Sequence, residues 1–244
     1  MSISRPPAES PDVETSGEAY AARFSGAVGG WLLRTQEEAT LRMLAGHPGA
    51  SVLDVGGGHG QVTAALIAQG HRVTVFGSAE CCRRRIEVFL AAGTCRFAWG
   101  DLLDLPYADR AWDVVLSYRL LPHVARWKAL LRELARVADR AVLVDVPTRR
   151  SVNVVAPWLF AVKRRVEGNT RPFRLFDERT VLDVAASAGL SLADREPQFV
   201  LPMALHRLLG APRLSAASER LLRAAGVTER FGSPVILKLV RRDP

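Results

Sequence analysis

Ten residues, 51–60, constrain this chain more than any other stretch. Val52, Leu53 and Val55 read as a buried strand with Asp54 near its end, and Gly56, Gly57, Gly58 and Gly60 then crowd a tight turn. Residues 61–69 follow as a helix-forming run that is apolar on one side. Strand, glycine turn and helix together are the setting of a nucleotide-binding loop. Glycines let the backbone come close to a ligand, and the helix behind them aims its N–H groups and dipole at it. Such a loop alone does not say what is bound.

The surrounding pattern predicts the fold. Strands at 51–55, 71–76, 95–99, 113–117 and 141–146 are separated by helical stretches at 60–69, 79–92 and 124–137, with Gly70 and Gly93 closing two of them. This alternation predicts an α/β protein with a doubly wound parallel sheet, which binds ligands beyond the carboxyl ends of its strands. Beyond Pro147 the pattern predicts an amphipathic helix over 151–166, a polar turn over 167–172 and a helix over 177–188, capped by Asp177 and stopped by Gly189. Strands follow at 191–200 and 234–240, with helical segments at 203–210 and 215–225 inserted between them. At the other end, residues 1–17 are rich in Pro, Ser and Glu and read as a disordered leader. Residues 18–50 read as a helical cap of two helices interrupted at Gly26, Gly29 and Gly30, and the main domain spans 51–244.

Composition narrows the function classes. The chain is 48% hydrophobic and 24% charged, as expected of a folded core. Its net charge of +8 raises the question of an anionic partner. The excess is mostly scattered Arg, and the clusters Arg83-Arg84-Arg85 and Lys163-Arg164-Arg165 lack the interleaved aromatics that stack on bases, which argues against nucleic acid. The apolar run at 154–162 is too short to span a bilayer, which takes about 20 residues. Cys81, Cys82 and Cys95 have no His at metal-ligand spacing; their odd number, without a signal peptide, points to a reducing cytoplasm and to no metal site.

Asp54-x-Gly56-x-Gly58-x-Gly60 resembles the first motif of the class I S-adenosylmethionine-dependent methyltransferases. Further matches follow in order: Gly100-Asp101-Leu102, Leu105-Pro106-Tyr107, Ala111-Trp112-Asp113-Val114-Val115, Leu120-Leu121-Pro122-His123-Val124 and Arg132-Glu133-Leu134-Ala135-Arg136-Val137. The resemblance runs from about Ser51 to Pro147 and is closest to the small-molecule branch that includes ubiquinone and menaquinone methyltransferases. It implies a Rossmann-like, seven-stranded, mostly parallel sheet whose last strand is antiparallel, with an N-terminal helical cap and a C-terminal helical insertion. It also implies methyl transfer from S-adenosylmethionine, leaving S-adenosylhomocysteine, to an O, N or C nucleophile of a small-molecule acceptor.

By this resemblance Gly56, Gly57, Gly58 and Gly60 pass under the methionine part of the cofactor and Asp54 orients it. Asp101 accepts from the adenine amino group, and the Leu102 N–H serves a ring nitrogen. The chain departs from the pattern at the end of the second strand, where relatives carry an acid for the ribose hydroxyls and Gly77 stands here. Gly77 and Ser78 then flank the ribose; Ser78 or Glu80 is left to make the contact, with Glu80 equally readable as an acid favoured at a helix start. His123 is the candidate general base, because it follows the fourth strand and titrates near neutrality; a helix cap or a packing residue is the competing role. Tyr118 and Arg119 line the same edge, Tyr118 with packing as its alternative. Tyr20, Arg23 and Phe24 are candidates for a lid, and Trp158, Arg171, Phe173 and Phe176 for the opposite wall. Lys163-Arg164-Arg165 with Arg171 could receive an anionic head group. Two rivals stay open: nucleic-acid methylation, motivated by the charge, and a non-catalytic binding protein, motivated by Gly77.

Overall fold

The computed structural model describes residues 9–151 and 173–242. The helix predicted over 151–166, the turn over 167–172, Trp158, Lys163-Arg164-Arg165 and Arg171 lie outside the described residues, as does the leader up to residue 8. Seven strands form one sheet: β1 (Ser51–Val55), β2 (Arg72–Gly77), β3 (Cys95–Trp99), β4 (Trp112–Ser117), β5 (Ala138–Val146), β6 (Leu190–Pro197) and β7 (Val235–Arg241). Their order is β3-β2-β1-β4-β5-β7-β6. The first five run parallel, and β7 lies antiparallel between β5 and β6.

Alternation along each strand explains the two layers of helices. Successive side chains point to opposite faces. Leu53, Val55, Val115, Val142, Val144 and Leu237 join one core, together with Leu130, Leu131, Leu134, Val181 and Ala185. Val52, Val114, Leu116, Ala141, Leu143 and Ile236 join the other, with Ala39, Met43, Leu66 and Ile86. Strands buried on both faces read as nearly continuous apolar runs, as β1 and β5 do.

The helices are α1 (Asp12–Thr15), α2 (Glu18–Ala21), α3 (Gly26–Leu44), α4 (Thr63–Ala68), α5 (Glu87–Ala91), α6 (Trp127–Val137), α7 (Glu178–Ser187), α8 (Met203–Leu209), α9 (Pro212–Ala224) and α10 (Val227–Phe231). In α6 the buried residues Trp127, Leu130, Leu131, Leu134, Ala135 and Val137 form one stripe, the spacing of an amphipathic helix. The Asp177 carboxylate accepts from the Arg179 N–H and caps α7, as its sequence predicts.

Two expectations change near the N-terminus. Residues 9–17 are not a disordered leader: α1 is formed and Asp12 and Ser16 are buried, because their polar groups bond to the chain rather than to water. The cap holds one long helix, α3, preceded by α2 and a 3-10 turn over Ala22–Phe24. Gly29 does not break α3; a Cβ there would fall 2.2 Å from the Phe24 carbonyl oxygen, so glycine lets the chain fold back closely. The helical insertion between β6 and β7 packs on this cap, with Trp31 edge-on to Phe199 and His206. Buried Glu219 of α9 accepts from the Val200 and Leu201 N–H groups and faces His206 at 3.1 Å. Among the described residues no helix is long and apolar enough to cross a membrane.

Candidate functional site

The sheet order reverses direction at β1, with β2 on one side and β4 on the other, and the glycine turn leaves β1 at that point. This is the crevice where open α/β sheets bind ligands. Gly56 takes φ +78°, which a side chain rarely adopts, and its N–H donates to the Phe76 carbonyl, holding the turn against β2. The next two glycines are needed for space. A Cβ at Gly57 would lie 2.1 Å from the Asp54 carboxyl carbon, and one at Gly58 would lie 2.4 Å from the Cys82 carbonyl oxygen and 2.3 Å from Ser16 Oγ.

Asp54 is 3% exposed beneath this turn, and burial pushes its carboxyl up to about 7. Burial disfavours the charged carboxylate, and a cation placed beside it would favour that form again. His59 stands within the turn, edge-on to the rings of Tyr20 at 5.7 Å and Phe24 at 5.8 Å. Burial pushes the His59 imidazole down to about 4, with Arg119 and Arg85 adding to it, so the ring is neutral at pH 7. Both its nitrogens are buried without a hydrogen-bond partner.

Beyond β4, Arg119 takes φ +58°, unusual for a residue with a side chain. Its N–H donates to Asp145 Oδ1 at 2.6 Å, and its guanidinium donates to Gln36 Oε1 and lies 4.2 Å from the centre of the Phe24 ring. Gln36 Nε2 returns to Asp145 Oδ2 at 3.2 Å, and Gln61 Nε2 donates to Gln36 Oε1. Burial raises the Asp145 carboxyl, offset in part by Arg119. The network joins α3, the glycine turn and the ends of β4 and β5.

The predicted residues divide into two groups. Asp54, Gly56, Gly57, Gly58 and Gly60 form the turn and its floor, and Gly77 and Ser78 close its β2 side. Tyr20, Phe24 and Arg119 stand over it through the ring contacts just described, with the Arg23 guanidinium 5.4 Å from the Tyr20 ring. The others have local engagements. Asp101 is exposed and its carboxylate accepts from the Leu103 N–H at 2.9 Å, while Leu102 is buried in the core. Tyr118 shares a hydrogen bond with Thr40 Oγ1 at 2.9 Å, and burial pushes its phenol up. Glu80 is exposed, with Arg83 at 3.9 Å. His123 is half-buried in a 3-10 turn after β4, its ring 5.7 Å from that of Phe173. Phe176 is a core residue, edge-on to Trp127 at 5.0 Å, and does not line an open wall.

Sequence reading missed His59, Gln36 and Asp145 as members of this constellation, and missed Asp12, whose carboxylate accepts from the Ser78 N–H at the end of β2. His59 stood in view inside the glycine motif. The other three lie on separate elements, and no local spacing signals their places.

Residues 53–142 match the family described as "Methyltransferase domain". An O-methyltransferase of Pyrenophora dematioidea is 33% identical over 103 residues, 40% of this chain and 38% of that protein. The chain spans less than half the length of the curated relatives it matches. The crystal structure of magnesium protoporphyrin IX methyltransferase from Synechocystis PCC 6803 with bound SAH superimposes with a TM-score of 0.64 at 18% identity, covering 94% of this chain and 97% of that one. The [4+2]-cyclase SpnF superimposes with a TM-score of 0.58 at 18% identity, over 86% of this chain and 80% of that one. The fold is therefore that of the class I methyltransferases, and residues 53–142 are the part of the chain that matches the methyltransferase domain.

Proposed function

We propose that this protein transfers the methyl group of S-adenosylmethionine to a small-molecule acceptor, with an oxygen nucleophile favoured by the likeness to an O-methyltransferase. The observation that carries the reading is the glycine turn over buried Asp54 at the switch point of the sheet. The residues fit the cofactor. Glycine at 57 and 58 lets the turn lie directly on Asp54, Ser16 and Cys82, and the raised carboxyl of Asp54 gains a counter-charge from an ammonium group. The bound cofactor supplies an electrophilic methyl on a sulfonium. Asp54 then holds the amino-acid end, Asp101 and the Leu102 N–H take the adenine, and Gly77 and Ser78 border the ribose. Tyr20, Phe24 and Arg119 cover the turn and exclude water. His123 takes a proton from the acceptor where its nucleophile carries one. Alignment of the nucleophile supplies much of the rate.

The same reading takes residues 18–50 as a cap, joined by 9–17, and 51–244 as the catalytic domain. The free thiols Cys81, Cys82 and Cys95 support a reducing cytoplasm. Calorimetric titration with S-adenosylmethionine and S-adenosylhomocysteine tests the cofactor. Micromolar binding, lost in Asp54→Ala, is expected; a folded protein that binds neither ligand refutes the reading. A panel of phenols and enols with radiolabelled methyl donor then tests the acceptor. A transfer rate unchanged in His123→Ala on a phenol would remove the base.

A further inference from the structure

The end of β2 has no acid of its own, and the structure shows why none fits. A Cβ at Gly77 would lie 2.8 Å from Cys82 Cβ and 3.3 Å from the Phe97 ring. Cys82 Cβ is fixed to its backbone and cannot swing aside. A carboxylate reaches this place nonetheless, from Asp12. Its Oδ2 accepts from the Ser78 N–H at 2.7 Å and from Cys82 Sγ at 3.4 Å. Its Oδ1 is buried with no hydrogen-bond partner, and so is the Oγ of Ser78, whose N–H holds Oδ2. A carboxylate oxygen closed off from water without a donor is costly, and a ligand hydroxyl would relieve it.

The segment that carries Asp12 is strapped across the carboxyl ends of the strands. Glu9 accepts from the Ala125 N–H and pairs with Arg126, beyond β4. Ser16 Oγ donates to the Asp12 carbonyl, and Glu18 pairs with Arg85 at 2.8 Å, beyond β2. Tyr20 and Phe24 then close on His59.

We propose that Asp12 receives the ribose hydroxyls of the cofactor, so that the strap of residues 9–24 completes the ribose subsite and cofactor binding and strap closure are one event. This rests on the cofactor reading above. Coupling of this kind is reciprocal: the ligand must order the strap as much as the strap tightens the ligand.

Calorimetry on the full chain tests it, with S-adenosylhomocysteine and its 2′-deoxy analogue as the two probes. Wild type is expected to favour the hydroxylated ligand. Asp12→Asn and Asp12→Ala lose roughly tenfold to a hundredfold in affinity for it, the range of a charge-assisted hydrogen bond, and no longer discriminate. Glu9→Ala loosens the strap, weakens both ligands alike and keeps the discrimination. In hydrogen exchange, S-adenosylhomocysteine protects residues 9–24 of wild type and fails to do so in Asp12→Asn. Equal weakening of both ligands in the Asp12 variants would make Asp12 a mere anchor and overturn the proposal. Tighter binding would make the strap a plug and overturn it too. A wild type that binds neither probe would instead refute the cofactor reading itself.

Discussion

Strands β1, β4 and β5 bury Val52, Leu53, Val114, Val115, Val142 and Val144 completely, whereas the segment from Glu9 to Phe24 above their carboxyl ends rests on a few polar and ring contacts. The floor gains from apolar area on two faces and repeats its alternation along every strand. The roof is short, and α1 and α2 have four residues each, too few to be stable as isolated helices. Regions with few buried apolar contacts open at low free energy. A rigid floor can hold a ligand in register while the roof opens to admit it, and substitutions in the two regions should separate those tasks.

The largest effect is expected in the floor. Leu134 is fully buried between α6 and the sheet, and Leu134→Ala should cost about 2–5 kcal/mol of global stability. Urea denaturation measures it. A loss below about 1 kcal/mol would mean that the floor is less tightly packed than its burial indicates. Next comes Glu219→Ala, in the insertion that supports the cap. It leaves the Val200 and Leu201 N–H groups without their acceptor and should cost about 1–3 kcal/mol. Hydrogen exchange should show the loss in α8, α9 and the N-terminal end of α3 before the sheet responds. Uniform loosening would erase the contrast between floor and roof.

The same contrast explains what the sequence made legible. Alternation and helical spacing are local, so the seven strands, the stripe of α6 and the cap at Asp177 could be placed from residues alone. The glycine turn was equally plain, because a backbone that must approach both Asp54 and Cys82 leaves its mark in consecutive positions. Arg119 was legible from its place after the fourth strand, but Gln36 and Asp145, which meet it, and Asp12, which reaches the end of β2, come from elements far apart in the chain, and nothing periodic announces them. Residues 9–17 looked disordered because Pro, Ser and Glu are usually solvated; here Glu9, Asp12 and Ser16 spend their polar groups on amides and carbonyls of the fold. Gly77 read as a missing acid because a strand shows only its own side chains and not what another segment brings to it.

Asp54 lies under both regions and links them through pH. Its folded-state carboxyl sits near 7, above the unfolded value of 3.8, so the folded protein keeps a proton that the unfolded chain has lost between those values. Stability from this group is therefore present at low pH and declines as pH rises from about 4 through 7. His59, lowered to about 4, acts with the opposite sign between about 4 and 6.5, so the test must be a difference between variants. Asp54→Asn removes the titration and keeps the shape. Its stability relative to wild type should grow from pH 5 to pH 8, by at most about 1.4 kcal/mol per unit. A difference that stays flat with pH would show that the buried carboxyl does not titrate there.

The smallest expected effect concerns the boundary between packing and binding. Tyr118 lies at the end of the floor, and its hydroxyl meets Thr40 of α3. Tyr118→Phe deletes that one bond, keeps the ring and leaves the Thr40 hydroxyl its bond to the Gln36 carbonyl. A cost of about 0.5–1.5 kcal/mol in denaturation, with unchanged affinity for S-adenosylhomocysteine, is expected if the hydroxyl only ties α3 to the sheet. A tenfold loss of affinity with little change in stability would move Tyr118 from the support into the cofactor site. The paired readout matters because Thr40 sits one helical turn from Gln36, whose side chain holds Arg119. That network is one route by which a shift of α3 would reach the ligand, and Gln36→Ala in the Tyr118→Phe background would add nothing further to the affinity loss if the two act along it.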